Sequence, residues 1–299
     1  MKYNNELLIK IAQGDAFGLG VEYVKKPHSN YNNLLLFNHY YPHPRGGIIS
    51  GSYTDDTQMS IAVAEVIIDG PPYTEEKFGK AFFNAYKRDP VKGYSSGLQN
   101  LLDTNDDYES FMSKLIPKSI QNGAAMRAVP IGVLNDPKDI LEVAKIQASV
   151  THNTPVGILS AQAIALASHY SLYNCGAFTQ KDMSEWFVKY LPSAYIFFNK
   201  TPMTFPVEDP YVSLKTVQAV FDALMTQNNL LDILRYLVLL GGDTDSTCSI
   251  ALGIASSKLT DKLPDFFETE LAPNNKCNIS FLRTLSEKLI LPWYEKDLR

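Results

Sequence analysis

In the stretch "SYTDDTQMS", residues 52–60, Asp55 and Asp56 stand side by side between two threonines. Near the other end, "GGDTDSTCS" (241–249) carries Asp243 and Asp245, followed by hydroxyls at Ser246 and Thr247. Adjacent carboxylates repel each other unless water or a cation relieves them. A single acidic first turn is ordinary, because the helix dipole and free N–H groups favour it. Two such turns in one chain, each with hydroxyls alongside, point instead to a shared site. Oxygen-only donors suit hard cations such as Mg2+, Mn2+ or Ca2+. Four carboxylates brought together need about two divalent ions to offset their repulsion. The second stretch is not an EF-hand loop: the twelfth position counted from Asp243 is Ile254, where a bidentate glutamate is required.

Other segments carry weaker signals. "QGDAFGLGVEY" offers Gly14, Gly18 and Gly20, yet Tyr23 occupies the place of the third glycine in a dinucleotide fingerprint and no strand precedes it. That reading is set aside. Glu22 follows at the edge of a long loop, where a lone glutamate is ordinarily a surface residue. "KGYSSGLQN" (92–100) has the Gly and Ser content that offers N–H donors to a phosphate, or that simply makes a turn. "SIQNGAAMRAVP" (119–130) combines Asn122, Gly123 and two alanines, which leaves room for a ligand near backbone amides or for a tight helix start. His152 in "THNTP" is, taken alone, more often a cap than a ligand.

These residues need elements to hold them, and helical spacing dominates the chain. Leu7, Leu8, Ile11 and Ala12 form one apolar stripe; Met59, Ala62, Val63, Val66 and Ile67 form another directly after the aspartates. Thr54 reads as the N-cap of that second helix, with Asp55 and Asp56 in its first turn. Val156, Leu159, Ile164 and Leu166 with intervening alanines predict a small-residue helix. Leu214, Val217, Val220, Phe221 and Leu224, then Leu230, Leu231, Leu234 and Leu237, predict two more. "GGIIS" is the best strand candidate. Residues 25–52 read as a long loop, with prolines at 42 and 44, and a second proline pair stands at 71–72. With no repeat, low-complexity tract or linker, one all-α domain over 1–299 is the simplest organisation.

The chain has 299 residues, 45% of them hydrophobic, enough to bury a substantial core. A net charge of −5 and no long basic run speak against a duplex-binding surface, although an acidic chain can bind an anion through a cation. Cys175, Cys248 and Cys277 are odd in number and form no C-x-x-C pair, which fits a reducing cytoplasm. "MKYNNELLIK" lacks the apolar core of a signal peptide, and no run of 18 apolar residues predicts a membrane span.

In order and spacing, "GDAFGLGVE", "YTDDT", "GYSSG", "NGAAMR", "TH", "GGDTDS" and the closing "LPWYEKD" resemble the ADP-ribosylhydrolase family, the group that includes dinitrogenase reductase-activating glycohydrolase. The resemblance covers nearly the whole chain. It implies a single orthogonal multi-helix fold with two Mg2+ or Mn2+ ions at its centre, bound by Thr54, Asp55, Asp56, Asp243, Asp245 and Ser246. The family usually has threonine at the last position; serine keeps the hydroxyl. Glu22 matches a flap glutamate assigned acid–base work in some members, and Asp55 or Asp56 would orient the attacking water. Gly93, Tyr94, Gly97, Ser119, Asn122, Gly123 and His152 fall in the segments that hold the ADP-ribose diphosphate and riboses. The implied activity is cleavage at the anomeric carbon of ADP-ribose. The segments around 92–102 and 119–127 look closer to the branch acting on O-linked serine, polymeric or O-acetyl substrates. An arginine N-linked hydrolase, a non-catalytic ADP-ribose sensor and a phosphohydrolase cutting the diphosphate are the alternatives.

Overall fold

The computed structural model describes residues 5–25, 29–174, 177–198 and 212–297. Cys175 lies outside them. The described residues are helical, in chain order α1 (Leu7–Gly18), α2 (Ser29–Leu34), α3 (Asp55–Asp69), α4 (Glu75–Arg88), α5 (Ser96–Thr104), α6 (Tyr108–Lys114), α7 (Gly123–Met126) and α8 (Pro137–His152). There follow α9 (Pro155–Tyr173), α10 (Gln180–Tyr190), α11 (Val212–Thr226), α12 (Leu230–Leu240), α13 (Thr244–Ala255), α14 (Phe266–Thr269) and α15 (Ile279–Asp297). No helix among them is long and apolar enough to cross a membrane.

Local chemistry starts several helices where the sequence indicates. Thr74 caps α4 by accepting from Lys77 N (3.1 Å), and Asp136 caps α8 by accepting from Lys138 N (2.8 Å). Thr154 caps α9 through Gly157 N (3.2 Å), with Pro155 in its first turn. Helix α9 is buried on nearly every side, as its alanine-rich sequence requires. The buried side chains form one contiguous cluster drawing on α1, α3, α9, α11, α12, α13 and α15.

The most extensive helix pairing is α1 against α13. Gly14 and Gly18 explain it. A Cβ on Gly14 would collide with the Cys248 carbonyl, and one on Gly18 with the Thr244 carbonyl. The glycines that superficially suggest a nucleotide fingerprint are therefore the crossing point of two helices. The Thr244 hydroxyl seals the crossing by donating to Gly18 O at 2.7 Å.

Two sequence expectations change. "GGIIS" forms no strand: Gly46 and Gly47 both take positive φ (77° and 84°), which breaks the extended backbone, and Ile49 is exposed. The described residues contain one isolated antiparallel bridge, Lys118 with His152, and no ladder. The loop at 25–52 also contains α2, which buries Tyr31 and Leu34.

Candidate active site

Helices α3 and α13 begin at opposite ends of the sequence and open onto one cavity of about 620 Å³. Its wall includes Asp55 and Asp56 from the first turn of α3, Asp243 and Asp245 with Ser246 from the start of α13, and Glu22. Gly93, Gly97, Ser119, Asn122, Gly123 and His152 line the same cavity. Thr54 and Tyr94 do not. Thr54 is fully buried beneath α3, and Tyr94 packs edge-on against Tyr86 while donating to Gln58 Oε1 (2.7 Å).

The start of α3 is held by an acid the sequence reading passed over. Asp15, on α1, accepts from Thr54 N (2.9 Å), Thr54 Oγ1 (2.9 Å), Thr57 N (3.1 Å) and Thr57 Oγ1 (2.6 Å). Thr54 does occupy the N-cap position, but its hydroxyl donates to Asp15 instead of accepting from its own helix. Asp15 thus caps α3 from a neighbouring helix. Its signal was present: Leu8, Ile11 and Asp15 continue one helical stripe, so a carboxylate sits on a buried face.

The second turn is clasped to the chain around Glu22. Tyr23 N donates to Gly242 O (2.8 Å) and the Tyr23 hydroxyl to Asp243 Oδ2 (2.7 Å). Asn122 Nδ2 reaches the same Asp243 oxygen at 3.3 Å. Glu22 itself lies against His43, Nε2 to Oε2 3.0 Å, with Arg45 3.9 Å from its other oxygen. Tyr23, His43 and Arg45 carry no motif that would have marked them.

Proximity appears in the electrostatics. Burial raises the Asp55 carboxyl well above the usual range, and Asp15, Glu22 and Asp243 add repulsion. Burial likewise raises Asp56, with Asp15, Asp55 and Asp243 contributing, and Asp245, with Glu22, Asp243, Asp56 and Asp15 contributing. Asp243 is raised by burial and Glu22 but eased by hydrogen bonds, including that from Tyr23. Each turn therefore feels the acids of the other.

A divalent pair fits this donor set. It is rich in carboxylate and hydroxyl oxygens, and Asp56 Oδ1 is buried without a hydrogen-bond partner, an acceptor that a cation would satisfy. Among the described residues no group of three or more His, Cys, Asp or Glu side chains is drawn together closely enough to hold a metal ion as it stands.

The far wall is different in character. Gly93 has φ of 118°, and a Cβ there would press on Asp55 and lie 2.8 Å from Thr54 Cβ, so only glycine lets this loop reach the acids. Gly123 sits against the His152 ring, where a Cβ would come within 2.9 Å of Cε1. Behind it, buried Arg127 donates to Gln147 Oε1 (2.6 Å), Gln147 O (3.0 Å) and Thr151 Oγ1 (2.9 Å). Thr151 Oγ1 is 2.6 Å from His152 Nδ1, and burial, then Arg127, pushes that imidazole down to about 3. His152 is thus neutral, with Nε2 buried and unpartnered. Leu98, Leu101, Leu115 and Ile116 complete an apolar side, with Lys114 at its edge.

Comparison with known proteins follows the same lines. The pattern described as ADP-ribosylglycohydrolase matches residues 8–272; the closing "LPWYEKD" lies beyond it. The chain is similar to ADP-ribosylhydrolase ARH3 of Xenopus tropicalis, 29% identical over 170 residues covering 53% of this chain and 47% of that one. It is similar to ARH3 of Homo sapiens, 31% identical over 147 residues covering 46% and 39% respectively. ADP-ribosylarginine hydrolase Tri1 of Pseudomonas putida (strain GB-1) is 22% identical over 270 residues, covering 84% and 68%. The match spans about half the length of the first of these relatives. A solved structure described as an ADP-ribosylglycohydrolase-related protein complex shares the fold, with a TM-score of 0.72 over 96% of each chain at 19% identity.

Proposed function

We infer the activity of this chain from one premise: it belongs to the ADP-ribosylglycohydrolase family. We propose that it hydrolyses the bond between the anomeric carbon of ADP-ribose and an O-linked acceptor such as serine. The observation that carries this reading is the meeting of two acidic helix starts and Glu22 in one cavity.

Asp55, Asp56, Asp243 and Asp245, with the hydroxyls of Thr54 and Ser246, would hold two Mg2+ or Mn2+ ions, which when bound fix sugar hydroxyls and acidify a water. The remaining work falls to the chain. Cleavage builds positive charge on the ribose, so a carboxylate-rich site lowers that barrier. Glu22 moves a proton to or from the reacting oxygens, and Asp55 or Asp56 orients the water. The diphosphate is received by the Gly93–Gly97 and Ser119–Gly123 segments and by His152, whose hydrogen-bond donors suit an anion in an otherwise acidic protein.

The rest of the wall supports the O-linked reading of the acceptor. Among the described residues, every acid lining the cavity belongs to the Asp55, Asp56, Asp243, Asp245 and Glu22 group. Beyond those acids the described lining carries apolar side chains, neutral polar ones and the cations Lys114 and Arg127, none of which would partner an arginine guanidinium. An arginine-linked acceptor is the second reading, favoured by the longer match to Tri1. A panel of serine-linked, arginine-linked, polymeric and O-acetylated ADP-ribose, assayed with Mg2+, with Mn2+ and with chelator, tests both. Release from the serine-linked substrate is expected; release of AMP instead would mean a phosphohydrolase, and binding without release a sensor.

A further inference from the structure

The segment "HPRG", residues 43–46, builds a tight turn: Gly46 N donates to His43 O at 2.8 Å, with Pro44 at the position such turns favour. The turn brings Arg45 N to His43 Nδ1 at 3.2 Å, so Nδ1 accepts. The proton of neutral imidazole then resides on Nε2, which lies 3.0 Å from Glu22 Oε2. His43 is buried, only 8% exposed, whereas Arg45 is open to solvent and reaches the other Glu22 oxygen at 3.9 Å while lying over the Tyr23 ring. Glu22 is therefore held from two directions. Tyr23 pins the backbone beside it to Gly242, and His43 pins its carboxylate.

We propose that His43 is a positioning residue for Glu22, fixing the carboxylate at the cavity by donating Nε2–H to it from a turn that sets the imidazole tautomer. The catalytic consequence rests on the proposed hydrolase reading; the contact itself does not. The device has a physical logic. A glutamate side chain on an irregular segment loses rotamer freedom when it reacts, and a buried donor that pre-sets its geometry removes that cost before substrate arrives.

Nitrogen-15 NMR of the cation-free protein tests the contact without any turnover. The chain has five histidines, few enough to assign His43 by its substitution. The wild type should show His43 with its proton on Nε2, and Glu22→Gln should shift that resonance more than the other histidines. Kinetics test the role. His43→Ala should lower kcat about tenfold with KM and Mg2+ affinity unchanged, and His43→Gln, whose amide can still donate, should recover most of the loss. In a Glu22→Gln background, His43→Ala should cost nothing further. A proton on Nδ1, or losses from the two substitutions that simply multiply, would overturn the proposal. If the wild type releases no ADP-ribose, the hydrolase reading and the catalytic role of His43 fail together, and the NMR result alone decides the contact.

Discussion

Asp15 and Glu22 are acids near the same cavity, and their surroundings separate their roles. Asp15 is fully buried, and four donors already converge on its two oxygens, so it anchors the start of α3. An amide oxygen at the Oδ2 position could still accept from Thr54 N, Thr57 N and Thr57 Oγ1, but its nitrogen would force the Thr54 hydroxyl to turn and accept. Asp15→Asn should lower stability by about 1 kcal/mol, read by urea unfolding at neutral pH. Glu22 is partly exposed on the cavity wall, and its loss should cost chemistry instead of stability. Glu22→Gln should reduce kcat by about 10²-fold or more, with divalent-cation affinity unchanged by calorimetry. An unchanged kcat would remove Glu22 from the reaction.

At the scale of elements, the α1–α13 crossing sets the distance between the two acidic turns. Gly18 lies against the Thr244 backbone, and Thr244 begins the helix that presents Asp245 and Ser246. Gly18→Ala must push α13 away, costing about 1–3 kcal/mol and displacing the whole turn that carries Asp243 and Asp245. Melting temperature and cation affinity should therefore fall together; a stability loss with intact affinity would mean that the turn does not depend on the crossing. The helices themselves were legible in the sequence, since α1, α3, α9, α11 and α12 all follow the apolar stripes. The acidic turns were legible as pairs of carboxylates at helix starts. What pattern could not show was contact between distant segments: Asp15 capping α3, Tyr23 clasping Gly242, and His43 on Glu22 join residues that share no periodicity. "GGIIS" misled because composition favours a strand there, while its two glycines take backbone angles that strands exclude.

For the molecule as a whole, the buried acids couple stability to pH. Burial raises Asp55, Asp56 and Asp245, and raises Asp15 to about 6. The cation-free fold therefore binds protons more tightly than the unfolded chain. Their contribution to stability is complete below about pH 4, where the unfolded carboxyls titrate, and is lost as pH rises through the folded values, near 6 for Asp15. His152 works the other way: its depressed imidazole contributes above about pH 6.5 and loses that contribution as pH falls toward 3. Divalent cations held by these carboxylates would compete with their protons and leave the histidine contribution nearly unchanged. The rise in melting temperature on adding Mg2+ or Mn2+ should accordingly grow from about pH 5 to about pH 8. Thermal unfolding with and without cation measures it, and a gain that does not vary with pH would deny that these carboxylates are the ligands.

The claim beneath all of this is that both acidic turns serve one hydrolytic centre. Release of ADP-ribose from a serine-linked peptide, followed chromatographically for the wild type, Asp56→Asn and Asp245→Asn with Mg2+ or chelator, tests it most directly. Release by the wild type with Mg2+ is expected, with a loss of at least about tenfold in chelator and in each variant. Full activity in chelator, or wild-type activity from either variant, would contradict it.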